Sequence, residues 1–396
     1  MTNIAVIEIA IAIGLALMLI NSTSTVFLGI AGGVLLLAVI IALLRWNGRW
    51  FTQWVGLTLG YMFRSHTRVA EPIETTADNQ IAQEDAGLTG PEDQRVNLLR
   101  LMVPDLIVAH GIDHERRPVG FAWHDGVWTA VLLVDPTPPL IAPVGATPNL
   151  PLGVLAPCLE DRGVALDSIQ VIWHSYPGSA SLPPDSPALA SYLEVLGGLP
   201  AAARRTIWIA VRLDPRRCPA AISERGGGVE GAHRALIGAL SRVHSALAAR
   251  GVPTRPLDPD ELLRAGIVAA ELGGVAGTST RVGLRERWDG VTAANIGHAS
   301  FAITRWPSAK NLQSINGLSA VRALSSTVTL SLSPADDEGE VGLRGMCRVS
   351  ARTPAELTDA NRQLSQLSHQ LNVSLTPLRG LQLAGLAATL PLGGNA

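Results

Sequence analysis

The sequence predicts a mixed α/β protein in which a transmembrane helical hairpin precedes two tandem α/β halves. Two observations predict this fold class. Two long apolar runs stand near the start of the chain, and the pattern Trp-(x)-Asp-Gly-Val occurs twice, at 123–127 and 288–291, each time ahead of a similar series of elements. The predicted segments are a transmembrane hairpin (1–44), a membrane-proximal amphipathic helix (45–69), a flexible acidic linker (70–95) and two α/β halves (96–270 and 271–396).

The two apolar runs cover residues 4–20 and 26–44, which are 17 and 19 residues long. A helix that crosses the hydrocarbon core needs about 20 apolar residues, with a range of roughly 17–25. A single helix through both runs would place the polar residues 21–25 in lipid, so two crossings joined by a tight turn fit better. A cleaved signal peptide is the alternative, but it needs a positive N-terminal region, and no Lys or Arg precedes the first run.

Positive charge is confined to one side of this hairpin. Arg45, Arg49, Arg64 and Arg68 follow the second run, whereas the N-terminus and the connecting turn carry no Lys or Arg. Because positive residues near span ends stay on the cytoplasmic side, we expect a two-pass protein of the plasma (inner) membrane. Its N-terminus and its C-terminal region should both face the cytoplasm.

An aromatic stripe follows the second run, at spacings of four, four, three and four residues that place its members on one helix face. The stripe consists of Trp46, Trp50, Trp54, Leu57 and Tyr61. Tryptophan and tyrosine favour the membrane interface, so the helix is either interfacial or packed on a partner's membrane-proximal domain. Gly29 and Gly33 form a Gly-x-x-x-Gly pair that permits close helix approach. These seven residues are the candidate interaction site.

The first half begins with an Asp-Gly hairpin signal at Asp125 and Gly126. It then predicts three strands (127–134, 168–173 and 206–213) and three helices (151–162, 187–196 and 231–250). The second half repeats the signal at Asp289 and Gly290. It then predicts three strands (299–305, 327–332 and 342–350) and two helices (312–324 and 355–371).

Both halves close on Val-x-x-x-Pro-Leu and a short helix. The common order β-α-β-β-α-β matches the ferredoxin-like arrangement, with one extra helix in the first half. We therefore expect two tandem ferredoxin-like (βαββαβ) halves.

No catalytic or cofactor-binding constellation emerges from the motifs. Gly226-x-Gly228-x-x-Gly231 resembles a dinucleotide fingerprint, but that fingerprint requires a strand ending in the glycine turn. Here "DPRRCPAAISE" intervenes, so a flexible start to a long helix is the better interpretation.

The histidines form no metal-ligand pattern. His110 and His114 stand four apart with His124 nearby, yet Gly111 and Pro118 favour a loop rather than a helix that would present them together. His174 and His298 occur without a placed nucleophile, and core packing is the default interpretation for both. We predict a protein that is not an enzyme and that uses no cofactor and no metal.

The cysteines and the net charge exclude further classes. Cys158, Cys218 and Cys347 are odd in number and widely spaced, which indicates free thiols in a reducing compartment. The formal net charge of −2 gives no electrostatic case for binding nucleic acid.

The late segments "RERWDGV", "GHASFAITRWP" and "LRGLQLAGLAATLPLGG", together with the hairpin and the aromatic stretch, resemble EccE, a core membrane component of the mycobacterial type VII (ESX) secretion system. The length resembles the fifth-cluster type. The resemblance implies a plasma-membrane complex with EccB, EccC and EccD, in which EccC is the ATPase and EccE-like proteins are non-catalytic scaffolds.

The expected partners are these membrane components and the lipid bilayer, with no nucleic acid and no small-molecule substrate. Two alternatives stay open. The chain could be a membrane-tethered transferase-like enzyme, or a regulatory module that binds a small ligand.

Overall fold

A computed structural model describes most of the chain beyond the two apolar runs. The described residues are 45–46, 49–71, 93–135, 150–177, 203–278, 280–335 and 340–394, with Ile11, Gly33, Leu36 and Ser191. The predicted transmembrane hairpin, the linker from 72 to 92 and the helix predicted at 187–196 therefore lie almost wholly outside the described residues. Among the helices within the described ranges, none has the length and apolarity that a membrane crossing requires.

The chain divides into two compact units, residues 1–65 and 66–396. In the first unit, the two-residue strands β1 (Arg45–Trp46) and β2 (Arg49–Trp50) pair antiparallel and lead into helix α1 (Phe51–Phe63). The helix is therefore shorter than the predicted 45–69. The intervening sequence, Asn-Gly at 47–48, is a strong hairpin signal, and it competes with the helical spacing of the tryptophans.

The second unit is a mixed α/β structure built on one antiparallel sheet, in which thirteen described strands take part. Its first strand, β3 (Thr67–Ala70), pairs with β12 of the second half. The C-terminal end of the predicted helix, residues 67–69, therefore also forms a strand instead. Ala70 is buried in this pairing, so the linker predicted from residue 70 begins inside the folded unit.

The first half carries strands and helices in the following order. They are α2 (Gln94–Arg100), β4 (Ile107–Ile112), β5 (Pro118–His124), β6 (Val127–Val134), β7 (Glu160–Asp161), β8 (Val164–Ala165), β9 (Ser168–Pro177), β10 (Ala203–Leu213), α3 (Pro219–Glu224), α4 (Gly228–Ala248), β11 (Thr254–Pro256) and α5 (Pro259–Ala269).

The second half has a parallel series of elements. They are β12 (Val282–Glu286), β13 (Val291–Ala293), β14 (Ile296–Arg305), a 3-10 stretch (Ala309–Ala320), β15 (Ser325–Pro334), β16 (Val341–Ala351), α6 (Pro354–Gln370), β17 (Ser374–Pro377) and α7 (Gln382–Ala388).

Strand pairing follows one scheme in both halves. In the first half the sheet runs β4-β5-β6-β10-β9, and β11 pairs with the far end of β6. In the second half it runs β12-β13-β14-β16-β15, and β17 pairs with the far end of β14. Each strand that the first half contributes to the large sheet therefore has a counterpart at the same place in the second half, whereas the separate β7–β8 hairpin has none among the described strands.

The two halves meet where β9 pairs antiparallel with β15, from Ser175 opposite Ser326 to Ile169 opposite Leu332. This pairing, called the seam below, joins the halves into one continuous sheet. Side chains alternate between the faces of a strand, so the seam contributes to two cores. Helices α4 and α6 cover one face, and α2, α5 and α7 cover the other.

Several predicted elements agree with the structure and several do not. The strand at 127–134 and the long helices near 231–250 and 355–371 are confirmed within a few residues. The helix predicted at 151–162 is wrong: two short 3-10 turns and the β7–β8 hairpin occupy that stretch. Gly153 and Pro157 disfavour a regular helix there. Residues 309–320 likewise form a 3-10 stretch.

The hairpin at Asp125 and Gly126 is confirmed, with positive φ at both residues (52° and 80°) as a two-residue turn requires. The strand before it was not predicted, however. The stretch interpreted as a loop around His110 forms β4, which pairs with β5 from Ile107 opposite Trp123 to Ile112 opposite Pro118. Pro118 is compatible with this position because it is the first residue of its strand.

Candidate functional site

The predicted aromatic stripe is divided between different elements. Trp46 and Trp50 lie on β1 and β2, whereas Trp54, Leu57 and Tyr61 lie on α1 and are half-buried. The five residues therefore do not form one continuous helical face. Of the predicted glycine pair, Gly33 is helical and exposed, and Gly29 lies outside the described residues.

Helix α1 exposes a different apolar face that the sequence interpretation missed. Val55, Leu59, Met62 and Phe63 are 42%, 48%, 67% and 85% exposed. The first three stand at i, i+4 and i+7, so they form one stripe along the helix. Spacing could have found this stripe, but the tryptophans dominated the pattern. Apolar surface of this kind marks a surface that contacts a protein or a lipid.

A second notable feature is a cluster of buried polar side chains at the seam, here called the seam cluster. It consists of His174, Glu271, His298, Thr327, Arg348 and Ser350. His174 lies on β9 and Thr327 opposite it on β15, with His174 Nδ1 3.0 Å from Thr327 Oγ1. Arg348, on β16, donates from Nη2 to the same hydroxyl at 3.0 Å and also to the carbonyl of Ala269.

Arg348 is fully buried, and the charge of Glu271, which follows α5, favours its ionised form without a direct ion pair between the two side chains in the described part of the chain. Glu271 has a positive φ of 59° and brings Oε1 to 3.8 Å from His174 Nε2. Burial raises the pKa of Glu271, and the charge of Arg348 opposes that rise. Burial lowers the pKa of Arg348 to about 10 while Glu271 raises it. The guanidinium therefore remains charged at neutral pH.

The two histidines of the seam cluster are neutral. Burial, with a smaller effect from Arg348, lowers the pKa of His174 to about 3. The same causes hold the pKa of His298 well below its ordinary value. His298 Nδ1 lies 2.9 Å from Ser350 Oγ and 3.5 Å from Arg348 Nη1. A neutral imidazole is the form that a site beside a buried guanidinium favours.

The seam cluster joins parts of the chain that are distant in sequence. Its groups come from β9, from the end of α5 and from β14, β15 and β16, and all except Glu271 are at most 1% exposed. A buried charge whose partner is removed is strongly destabilising, and the cluster satisfies only part of its hydrogen-bonding capacity, since Arg348 Nε, His298 Nε2 and Glu271 Oε1 have no hydrogen-bond partner among the described residues. The seam cluster therefore links the two halves through buried polar contacts across the pairing of β9 with β15.

Sequence reasoning assigned His174 and His298 to core packing, and both are buried as expected. It missed Arg348 and Glu271. The signal for Arg348 was an arginine inside the apolar run "GMCRVS" of a predicted strand, since a charge in such a position needs a partner. The sequence did not indicate which carboxylate would be that partner.

The other motifs lie apart from the seam cluster. His110 is on β4, His114 is in the turn that follows, and the described residues contain no group of side chains that could hold a metal ion. Gly226 and Gly228 have positive φ and lead directly into α4. That is the helix start we predicted rather than a turn that follows a strand. Cys158, Cys218 and Cys347 are buried free thiols.

Comparison with known proteins shows similarity to one family of secretion-system components. The sequence model of the family described as "Putative type VII ESX secretion system translocon, EccE" matches residues 201–303, which run from β10 to β14. The ESX-5 secretion system protein EccE5 of Mycobacterium marinum is 27% identical over 296 residues, which cover 71% of this chain and 67% of that protein.

A second relative matches over a shorter stretch. The ESX-1 secretion system protein EccE1 of Mycolicibacterium smegmatis is 37% identical over 67 residues, which are 17% of this chain and 14% of that protein. The matched region of the family model includes Glu271 and His298 of the seam cluster, and the alignment with EccE5 covers most of the chain. The chain is therefore similar to EccE proteins, and its longer alignment is with one of the ESX-5 type.

Proposed function

We propose that the chain is a non-catalytic scaffolding subunit of a plasma-membrane type VII secretion complex, of the ESX-5 type. The observation that carries this proposal is the EccE family match over residues 201–303, together with the longer alignment with EccE5. These similarities bear directly on one part of the proposal, namely that the chain is a component of a type VII secretion system. The scaffolding role is our extension.

The fold supports a scaffolding role. Each half orders its four principal strands as fourth, first, third and second in chain order, all antiparallel, which is why we propose that both halves are ferredoxin-like. The sheet is continuous through both halves, and the buried seam cluster links them, so the unit is rigid. Such a body can hold neighbouring subunits at fixed positions, and it needs no reaction chemistry to do so.

The proposed partners are EccB, EccC and EccD, with the subunit stabilising the assembly around the ATPase EccC. The bilayer is a further partner. We propose that residues 1–44 cross the membrane twice and that the rest of the chain is cytoplasmic, because the arginines follow the second apolar run.

This topology can be tested with a cysteine placed in the linker at 70–95. A membrane-impermeant thiol reagent should label it in inverted vesicles and fail to label it in intact cells. Labelling of intact cells would contradict the proposed orientation.

We propose that the membrane-proximal segment, together with the Gly29 and Gly33 pair, is the main assembly determinant. Trp46, Trp50 and Trp54 remain candidates, and the exposed face of α1 adds Val55, Leu59 and Met62. Apolar side chains buried at an interface commonly dominate its affinity. The proposed occupant of this surface is the membrane-proximal segment of another secretion-system component.

The experiment compares two multiple variants on blue-native gels of solubilised membranes. Replacing Trp46, Trp50 and Trp54 with Ala, or Val55, Leu59 and Met62 with Gln, should release the inserted protein from the large complex. Thr58→Ala, on the same helix, is the matched control and should co-migrate with the complex. If both triple variants still co-migrate fully, the docking surface lies in the α/β unit instead.

The transferase-like alternative predicts binding of sugar nucleotides. Incubation of the purified protein with nucleotides and sugar nucleotides, followed by product analysis, distinguishes it from a scaffold, because binding alone does not. Turnover of any of these compounds would favour the enzyme.

A further inference from the structure

A cavity of about 500 Å³ lies beside the seam, at the opposite end of β9 and β15 from the seam cluster. Ser168 and Gln170 of β9 and Thr329 and Ser331 of β15 line it. Gln170 and Thr329 are buried, so the floor of the cavity is the sheet itself. The site is therefore concave rather than a flat patch of surface.

Three arginines converge on this cavity, namely Arg212, Arg217 and Arg344, and Asp167 is the one carboxylate among the described lining residues. Asp167 lies 3.5 Å from Arg212 and 3.7 Å from Arg217. The lining thus carries an excess of two positive charges. A small anion would reduce the electrostatic cost of holding these arginines together.

Two of the arginines have donors available for a ligand. Arg212 is only 7% exposed, and its Nε has no hydrogen-bond partner among the described residues. Arg344 is exposed, and its side chain takes part in no ion pair or hydrogen bond within the described part of the chain. An unpaired buried guanidinium nitrogen is costly, and an anion in the cavity would offset part of that cost through its charge on the guanidinium.

The seam cluster is the counterpart of this cavity in the other half. Helix α5 is followed by Ala-Glu-Leu-Gly-Gly at 270–274, and its counterpart α7 ends in Ala-Thr-Leu-Pro-Leu-Gly-Gly at 388–394. In the first sequence Glu271 supplies the carboxylate for Arg348. In the second, Leu390 stands in the corresponding place, two residues after the end of its helix as Glu271 is after the end of α5, and it is buried. The arginines of the cavity receive no carboxylate from that segment.

We propose that this cavity binds a small phosphate-bearing molecule, whose phosphate takes the place that Glu271 occupies in the other half. Arginine forks match phosphate oxygens geometrically, and the hydroxyls of Thr329 and Ser331 can donate to them. The volume lies within the range of small-molecule sites and exceeds that of phosphate alone. This inference goes beyond the scaffolding role, and it departs from our expectation of no small-molecule ligand.

Isothermal titration of the purified full-length protein tests the proposal, with inorganic phosphate, pyrophosphate and AMP as probes. Pyrophosphate or AMP should bind saturably and more tightly than inorganic phosphate. Arg344→Gln should weaken that binding about ten- to hundred-fold, because it removes a charge-assisted contact. Ser331→Glu, opposite Arg344 across the strand pair, should abolish binding by placing a carboxylate inside the cavity.

The matched control is Arg285→Gln, which removes the same charge from β12, remote from the cavity in strand order. It should change the affinity less than two-fold, and unchanged melting temperatures of all variants exclude misfolding. No saturable binding, equal affinity for phosphate, pyrophosphate and AMP, or an equal loss in Arg285→Gln would overturn the proposal. If hexaglutamate binds as tightly as pyrophosphate and the same variants lose that binding, the cavity would be assigned to an acidic peptide instead.

Discussion

Mild acid should destabilise the protein through His174 at the seam. The folded-state pKa of His174 is about 3, below the ordinary value of 6.5. The unfolded chain therefore binds this proton more strongly than the folded chain does. The stabilising contribution is fully present above pH 6.5 and is lost as the pH falls from 6.5 towards 3.

The size of the effect follows from the two pKa values. Each unit between the pH and the unfolded-state pKa corresponds to about 1.4 kcal/mol of stability. Between pH 7 and pH 5, His174 should therefore lower the free energy of unfolding by about 2 kcal/mol. His298, whose pKa is also held low by burial, should add to the loss in the same direction.

The assay is urea unfolding of the purified protein at pH 7 and pH 5, followed by tryptophan fluorescence. His174→Gln removes the titrating group, so the difference between the two pH values should shrink by about 2 kcal/mol. His369→Gln, on the surface of α6, is the control and should leave the difference unchanged. An equal pH dependence in wild type and His174→Gln would refute a neutral, buried imidazole at the seam.

Three further outcomes follow from the packing. Gly231→Ala should destabilise the protein by about 1–3 kcal/mol, because the added Cβ would lie 2.4 Å from a backbone carbonyl oxygen of α3. Gly238→Ala, on the same helix, adds a Cβ with no atom near it and should stabilise the protein by about 0.5–1 kcal/mol. Thermal denaturation measures both changes. Glu271→Gln should cost about 3 kcal/mol by leaving Arg348 without its carboxylate, and combining Glu271→Leu with Arg348→Met should recover most of that loss. Cys347, whose pKa burial raises to about 12, should resist iodoacetamide at pH 8 until urea is added.

Much of the second unit could be predicted because its local signals agree with its tertiary pairing. The Asp-Gly turn at 125–126 and the apolar strand at 127–134 were predicted correctly, although the strand β5 before the turn was not. The repeated Val-x-x-x-Pro-Leu motif predicted the equivalence that β11 and β17 display. Capping boxes at Asp258 and Thr353 likewise begin α5 and α6, as local capping rules require.

The elements that were predicted wrongly share a cause. In each, one local sequence pattern competes with another pattern or with strand pairing to a distant part of the chain. At 45–50 the helical spacing of two tryptophans competed with a hairpin signal. At 107–112 the apolar and polar residues around His110 are compatible with strand or loop, and pairing with β5 decides the outcome. A single sequence does not reveal such long-range pairing.

The seam cluster and the cavity were beyond sequence reasoning for a similar reason. Glu271 and Arg348 are far apart in the chain, and only the pairing of β9 with β15 and the return of α5 over the sheet bring them together. Arg212 and Arg344 resembled ordinary surface arginines in a sequence with 31 basic residues. The correspondence of Glu271 with Leu390 becomes meaningful only once α5 and α7 are seen to be equivalent.

Affinity purification of the tagged full-length protein from detergent-solubilised membranes, with its partners identified by mass spectrometry, tests membership of a type VII secretion complex. We expect EccB, EccC and EccD to co-purify in constant proportions and to migrate with the protein as one large species. Recovery of the protein alone from membranes in which those three components are present and assembled would contradict its assignment as a subunit of that complex.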